Sequence, residues 1–576
     1  MKIDTVILEN FKSFHDRQRI PIQDLTLFMG ANSSGKSSAI QALMILKQTL
    51  ECNSPEVDLL LSGKYANIGD FNDALNKSEG DYFVIGLEHP QNEDGDRGTI
   101  LWRFGRNESI ISEPLLKEIR ITSPMGQVLL QREPQVRGRY RVCINGVPSQ
   151  YFIMVENIAF KETRMGYNSK LNELFYQFLK ELSLILFSKK TTERPKLERD
   201  TFMPVFGLMN FDQALFSEYL SKGIQIENNC VLQLMEDFCK SLSEDSYYEG
   251  IYGSRLRSIY WNAVMMDTEK ASELKVVCDK YRTLLLEYCA DGKNRNVLDA
   301  FFQIDYPFSE LYEAAYEQLS LLKDVSRSYN SCLDLLKKKV VYLGPLREKP
   351  QGLYNLGFES FPQYVGPSGA YFASVLFHEN KNKMFILPHD RNESISLEEA
   401  CAEWLDYIGV ANKATAEKQG SFGIHVSISN LYDQEADIMN VGIGTSQVLP
   451  VLISGLLSSC NDLLVFEQPE LHLHPYSQSR LADFFVALAK TGRTVIVETH
   501  SEQMLTRLRY LVLDERICHD HLKVVFFENT DCTRVYEARL DNYGGIQYPE
   551  NFRDTTEKLI EDLLYKSLAK RGKRRD

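Results

Sequence analysis

Gly30-Ala31-Asn32-Ser33-Ser34-Gly35-Lys36-Ser37 spells the complete pattern G-x-x-x-x-G-K-S near the start of the chain. Glycines let the backbone turn tightly, so that successive N–H groups converge on a phosphate. The Lys36 ammonium can reach β- and γ-phosphates, and the Ser37 hydroxyl can hold Mg²⁺. The flanks agree with this reading. Residues 25–29 are a short apolar run suited to a buried strand. Residues 38–50 carry Ile40, Leu43, Met44 and Leu50 near helical spacing, so the loop feeds a helix N-terminus, which favours anions. A chain that binds ATP with Mg²⁺ is expected.

At 576 residues the chain exceeds one ordinary core, and about two to four lobes are expected. Lysine and arginine number 65 against 79 aspartates and glutamates, a net charge of −14. That balance argues against a surface coated throughout with nucleic-acid-binding charge and leaves room for a local basic groove. No apolar run approaches a membrane span, and Met1-Lys2-Ile3-Asp4 does not open a signal peptide. The cysteines are odd in number, 11, and scattered without a C-x-x-C pair, which suggests reduced thiols in a cytoplasmic protein.

The expected fold class is α/β: an ATPase head of mixed sheet and helices, an antiparallel β lobe and an inserted helical lobe. Residues 1–150 read as the first half of the head with its β lobe. Strand candidates there lie at 2–8, 81–87, 99–104, 118–122, 127–131 and 139–144. Residues 151–339 read as the helical insertion, broken by Pro195, Pro204, Gly223 and Pro307 too often for a long coiled coil. Its clearest stripe is Leu311, Ala315, Leu319, Leu322, Tyr329, Leu333 and Leu336. Residues 340–510 read as the second half of the head, with strands at 340–343 and 424–428 and a helix near 397–408. Residues 511–576 form a short C-terminal region whose last residues, from Lys566 to Arg575, are rich in base. They read as a solvated tail in preference to a nucleic-acid contact.

The apolar run 463–466 ends in Glu467, an acid placed to hold Mg²⁺ against a triphosphate. A second apolar strand, 494–497, leads to Glu498-Thr499-His500-Ser501, and His500 is placed to hydrogen-bond a γ-phosphate or its attacking water. Between the halves, Asn440-Val441-Gly442-Ile443-Gly444-Thr445-Ser446-Gln447 precedes an apolar helix at 448–457. Glycine turns and a hydroxyl before a helix make a second phosphate-binding surface, which makes sense if it closes over a partner's ATP. His472 and His474 alternate on one side of an extended segment, yet no cysteine or third histidine completes a metal site. A loop at a dimer seam is the better reading.

Together with the Asn10-Phe11-Lys12-Ser13-Phe14 opening and Glu467-Gln468-Pro469-Glu470-Leu471-His472-Leu473-His474-Pro475, these segments resemble the RecF/SMC/OLD-type ABC ATPases over about residues 1–90 and 340–510. Tyr342–Arg347 and Gly544-Gly545-Ile546-Gln547-Tyr548-Pro549 are similar to prokaryotic ATPases with a short C-terminal domain of unknown function, among them PtuA-type ATPases of Septu and retron-linked antiphage systems. The resemblance implies that Gly30, Asn32, Ser33, Gly35, Lys36, Ser37 and Ser38 hold ATP. Ser37 and Glu467 would hold Mg²⁺, and His500 would be the switch histidine. Gly442, Gly444 and Ser446 would be a signature touching ATP on another subunit.

A glutamate usually follows the acid in that group and orients the attacking water. Here the position is Gln468, which accepts no proton. Either Glu470 substitutes, or hydrolysis is slow and ATP acts as a clamp; slow turnover is the expectation.

The implied function is a head-to-head homodimer or larger assembly that regulates a separate nuclease effector of HNH type in antiphage defence, with a retron reverse transcriptase and its nucleic acid as further partners. This chain itself shows no nuclease constellation, and the residues after His500 are too few for a toprim domain. A RecF- or SMC-like repair ATPase acting directly on DNA is the alternative. A transporter ATPase fits poorly, because the insertion is large and a plain Leu-Ser-Gly-Gly-Gln signature is lacking.

Overall fold

The computed structural model describes residues 2–165 and 321–548, apart from 53, 55–56, 77–79, 91–96, 108–109, 111, 135–136, 323, 356–363, 421 and 530, together with 563, 565 and 566. The basic tail beyond 566 and most of the expected helical insertion lie outside the described residues. The chain divides into two compact units. One holds Met1–Pro124, Glu156–Ala159 and Ser328–Asp576, and the other holds Met125–Val155 and Phe160–Arg327.

In the first unit, β1 (Thr5–Glu9) pairs antiparallel with β2 (Gln18–Pro21), and β3 (Leu25–Gly30) runs into α1 (Lys36–Glu51). Then come β4 (Tyr82–Pro90), β5 (Arg97–Arg106) and β6 (Pro114–Ser123). The antiparallel lobe has the order β6-β5-β4-β1-β2. Its core is aromatic: Phe83 stacks on Phe104 at 5.4 Å and meets Phe11 and Phe71 at 5.5 and 5.7 Å. Such rings bury large apolar area in defined orientations.

The second unit carries β7 (Gly126–Arg132), β8 (Arg139–Ile144), β9 (Val147–Glu156) and β10 (Ala159–Met165), neighbours in chain order. Strand structure therefore continues past residue 150 as far as Met165. Its buried positions alternate, as Val128 and Leu130 and then Tyr140 and Val142 show, the period expected of strands with one buried face.

The rest of the first unit starts with β11 (Val340–Leu343) and α2 (Phe372–His378), followed by the hairpin β12 (Lys383–Leu387) and β13 (Arg391–Ile395). Next is α3 (Leu397–Ile408), opened by a Ser396–Glu399 capping box and closed by Gly409. A three-stranded sheet of β14 (Lys413–Gln419), β15 (Gly423–Ser429) and β16 (Glu435–Asp437) leads to α4 (Ile443–Leu457). After it come β17 (Leu463–Glu467), α5 (Pro475–Lys490), β18 (Thr494–Glu498) and α6 (Glu502–Leu513). The described order closes with β19 (Leu522–Asn529), β20 (Thr533–Leu540) and β21 (Ile546–Gln547).

The central sheet runs β11-β17-β18-β3-β19-β20-β21. Its first five strands are parallel, and β20 returns antiparallel to β19. Every residue of β3, β17 and β18 is buried. Leu-Thr-Leu-Phe-Met-Gly, Leu-Leu-Val-Phe-Glu and Thr-Val-Ile-Val-Glu are the near-continuous apolar runs that a sheet covered on both faces requires. The fold is thus the α/β class expected, a mixed sheet with helices plus an antiparallel β lobe. Because the strands are parallel, their carboxyl ends share one edge, where ligands of open α/β sheets bind.

Candidate nucleotide site

At that edge β3 delivers the phosphate loop. Gly35 has φ +106°, and a Cβ there would stand 2.7 Å from the Thr533 hydroxyl, so both conformation and space demand glycine. Thr533, at the start of β20, donates its hydroxyl to the Ser34 carbonyl at 3.0 Å, and Asn529 Nδ2 donates to the Ser33 carbonyl at 3.2 Å. Asn32 and Ser33 are exposed, and Ser37 and Ser38 are half-buried on the first turn of α1. Lys36 is 3% exposed and donates to the Gly30 and Ala31 carbonyls at 2.9 and 2.8 Å. Burial lowers its pKa, partly offset by the charge of Glu498.

Two buried carboxylates face the loop. Glu467 ends β17, Glu498 ends β18, and the parallel register pairs them directly. Ser37 Oγ donates to both Glu498 oxygens, at 3.0 and 3.1 Å. Tyr342, on β11, donates its hydroxyl to Glu467 Oε1 at 2.7 Å. Burial, then the Glu498 charge, pushes Glu467 up to about 8, and burial also raises Glu498 against the pull of Lys36. Side-by-side carboxylates out of water resist double ionisation, a conflict that a divalent cation relieves. One hydroxyl and two carboxylates are oxygen donors of the kind Mg²⁺ takes beside a triphosphate, so the residues fit that ion.

Glu498 is a metal-side acid beyond those expected from the sequence. Its signal lay in a second apolar strand ending in an acid; the pairing with Glu467 emerges only from strand register.

The other expected residues surround this centre. Gln468 is half-buried with φ +44°, and its N–H donates to the Glu498 carbonyl at 2.7 Å. Glu470 is buried; its Oε1 accepts from the Thr499 hydroxyl at 2.7 Å and from the His500 N–H at 3.0 Å. His500 is exposed, its pKa lowered by desolvation and by the charge of Lys36.

The signature segment differs from the expected turn ahead of a helix at 448. The helix starts at Ile443, with Gly442 as its N-cap, so Gly444 and Ser446 lie within the helix's opening turns. Ser446 is buried and donates its hydroxyl to the Ile443 carbonyl at 2.8 Å. A Cβ on Gly444 would stand 2.7 Å from the His472 carbonyl oxygen, whereas one on Gly442 would meet nothing within 4 Å among the described residues. His472 and His474 are exposed, and His474 Nδ1 caps the first turn of α5 by accepting from the Tyr476 N–H.

Residues 1–277 match the family described as "AAA ATPase domain", and residues 388–505 match "AAA domain, putative AbiEii toxin, Type IV TA system". The energy-coupling factor transporter ATP-binding protein EcfA2 of Ureaplasma parvum serovar 3 is 25% identical over 162 residues, 28% of this chain. The match spans 36% of that protein's length. Among solved structures, the Smc head domain of Pyrococcus furiosus, with an extended coiled coil and bound to the C-terminal domain of ScpA, aligns at 12% identity and TM-score 0.31, over 93% of this chain and 96% of that one. The SMC head domain of Thermotoga maritima aligns at 10% identity and TM-score 0.32, over 94% and 100%. Both family matches are to AAA-type ATPase domains, a class that binds ATP with Mg²⁺, and the loop, lysine and acids gathered at the sheet edge suit those ligands. No helix among the described residues is long and apolar enough to cross a membrane.

Proposed function

We propose that the chain is an ATP-held clamp that hydrolyses its nucleotide slowly and regulates a separate nuclease effector in prokaryotic antiphage defence. The observation that carries the ATP-binding reading is the convergence of Lys36, Ser37, Glu467 and Glu498 at one sheet edge. The loop N–H groups and Lys36 would hold the triphosphate, and Ser37, Glu467 and Glu498 would hold Mg²⁺, which would supply neutralising charge for phosphoryl transfer.

His500 hydrogen-bonds the γ-phosphate or the attacking water. Gln468 can orient that water but cannot take its proton, which supports slow turnover. Glu470 already has one oxygen engaged by Thr499 and His500, which favours the slow-clamp reading over Glu470 as substitute base. Gly442, with open space around it at the N-cap of α4, is the signature position free to meet a second copy. The effector reading rests on the motif resemblance.

Hydrolysis by the purified full chain tests the clamp. The expected turnover lies below the ~1–1000 s⁻¹ common among enzymes, and Gln468→Glu raises it. Many turnovers per second, or a Gln468→Glu rate equal to wild type, contradicts the clamp. For the effector, a nuclease retained on the tagged chain after co-expression of neighbouring genes supports the reading. DNA binding that weakens steeply with salt, with DNA-stimulated hydrolysis and no nuclease retained, favours the repair ATPase instead.

A further inference from the structure

The segment Gly344-Pro345-Leu346-Arg347 follows β11 and is so far without a role. Its backbone is pinned by Gly344 N–H to the Pro367 carbonyl at 2.8 Å and Glu348 N–H to the Ser368 carbonyl at 2.9 Å. The turn sends Leu346 outward, 86% exposed, and Arg347 inward, 8% exposed. This inverts the usual preference for which side chain is buried.

Inside, Arg347 Nη2 donates to the carbonyls of Glu467 and Gln468, at 3.0 and 3.2 Å. It thus grips the backbone where β17 passes from the metal-side acid into the left-handed Gln468. Among the described residues, its Nε and Nη1 have no hydrogen-bond partner, and neither does Oε2 of the buried Glu470. The two charges nevertheless act on each other: burial lowers Arg347 to about 10, and Glu470 opposes that shift. Glu470 in turn grips Thr499 and the His500 N–H through Oε1. A buried guanidinium and a buried carboxylate, each half-satisfied, are expensive unless they hold something in register.

We propose that Arg347 and Glu470 are positioning residues that lock the Gln468 turn to the His500 turn, setting where both stand during hydrolysis. This rests on the ATPase reading and adds to it a coupling between three strand ends, those of β11, β17 and β18. Neither residue touches nucleotide in this account, so losing either should slow the chemical step and leave ATP affinity intact.

The test uses the full chain with Arg347→Met, Arg347→Lys, Glu470→Gln and the double Arg347→Met/Glu470→Gln variant. ATP·Mg²⁺ affinity is measured by calorimetry and the single-turnover rate by quench. Arg347→Met and Glu470→Gln are each expected to slow single turnover by at least about tenfold with affinity within about threefold of wild type. Arg347→Lys recovers part of the rate, because it keeps the charge and loses the fork. The double variant is expected to be no slower than the worse single one, since the pair acts as a unit. Unchanged rates, losses expressed in affinity alone, or losses that multiply in the double variant overturn the proposal. If Arg347→Met fails to fold, Arg347→Lys and Glu470→Gln carry the same rate-against-affinity comparison. Failure of wild type to bind ATP sinks the underlying ATPase reading instead and is recognised separately.

Discussion

Glu467 and Glu498 lie side by side in register, and burial first of all makes them sensitive to pH. Glu467 rises from 4.5 to about 8 in the folded chain. Between those values the folded state keeps a proton that the unfolded state has lost. The resulting stability is fully present below about 4.5 and disappears as pH rises through about 8. In EDTA, urea unfolding is expected to show stability falling by on the order of 1–3 kcal/mol from pH 5 to pH 8.5. Glu467→Gln should flatten that slope, and added Mg²⁺ should oppose it. A wild-type slope identical to that of the variant would contradict the shared burial of the two acids.

Residue by residue, the phosphate loop was legible because every part of its chemistry is local. Glu498 was not, because its partner Glu467 is 31 residues away in sequence (498 minus 467) and adjacent only through strand pairing. Thr533 was invisible for the same reason: nothing near it in sequence says that it braces Ser34.

The elements best read from sequence were those with one strong period. The strand runs at 25–29 and 463–467 and the helix at 397–408 match β3, β17 and α3 closely, since apolar runs and an amphipathic stripe fix them locally. The hairpin of β12 and β13 was missed: Lys383, Met384 and most of β13 are exposed, so little hydrophobic pattern marks it. The start of α4 was placed late because Gly-Thr-Ser interrupts the apolar run, while the backbone is already helical from Ile443. The tight packing of that turn gives a test at the scale of the element. Gly444→Ala drives a Cβ toward the His472 carbonyl and is expected to cost about 1–3 kcal/mol in urea unfolding. Gly442→Ala meets no atom of the described residues and should cost only the N-cap preference, about 0.5–1 kcal/mol. Equal costs would mean that α4 does not seat against the His472 turn.

For the molecule as a whole, the same contrast selects the probe for assembly. Ser446 is buried within its own protomer, so a bulky residue there would disturb the fold as well as any interface. Gly442→Arg is the cleaner change, because its side chain leaves into open space. It is expected to preserve ATP binding and abolish ATP-dependent dimerisation in light scattering; dimers formed as readily as by wild type would rule out α4 as the shared surface.

All of this depends on the nucleotide sitting on the loop at the edge of the central sheet. Calorimetric titration of the full chain with ATP and Mg²⁺ tests that claim most directly, with Lys36→Ala alongside. One ATP per chain for wild type and no measurable binding for Lys36→Ala is the predicted result; equal affinity in the two proteins would contradict it.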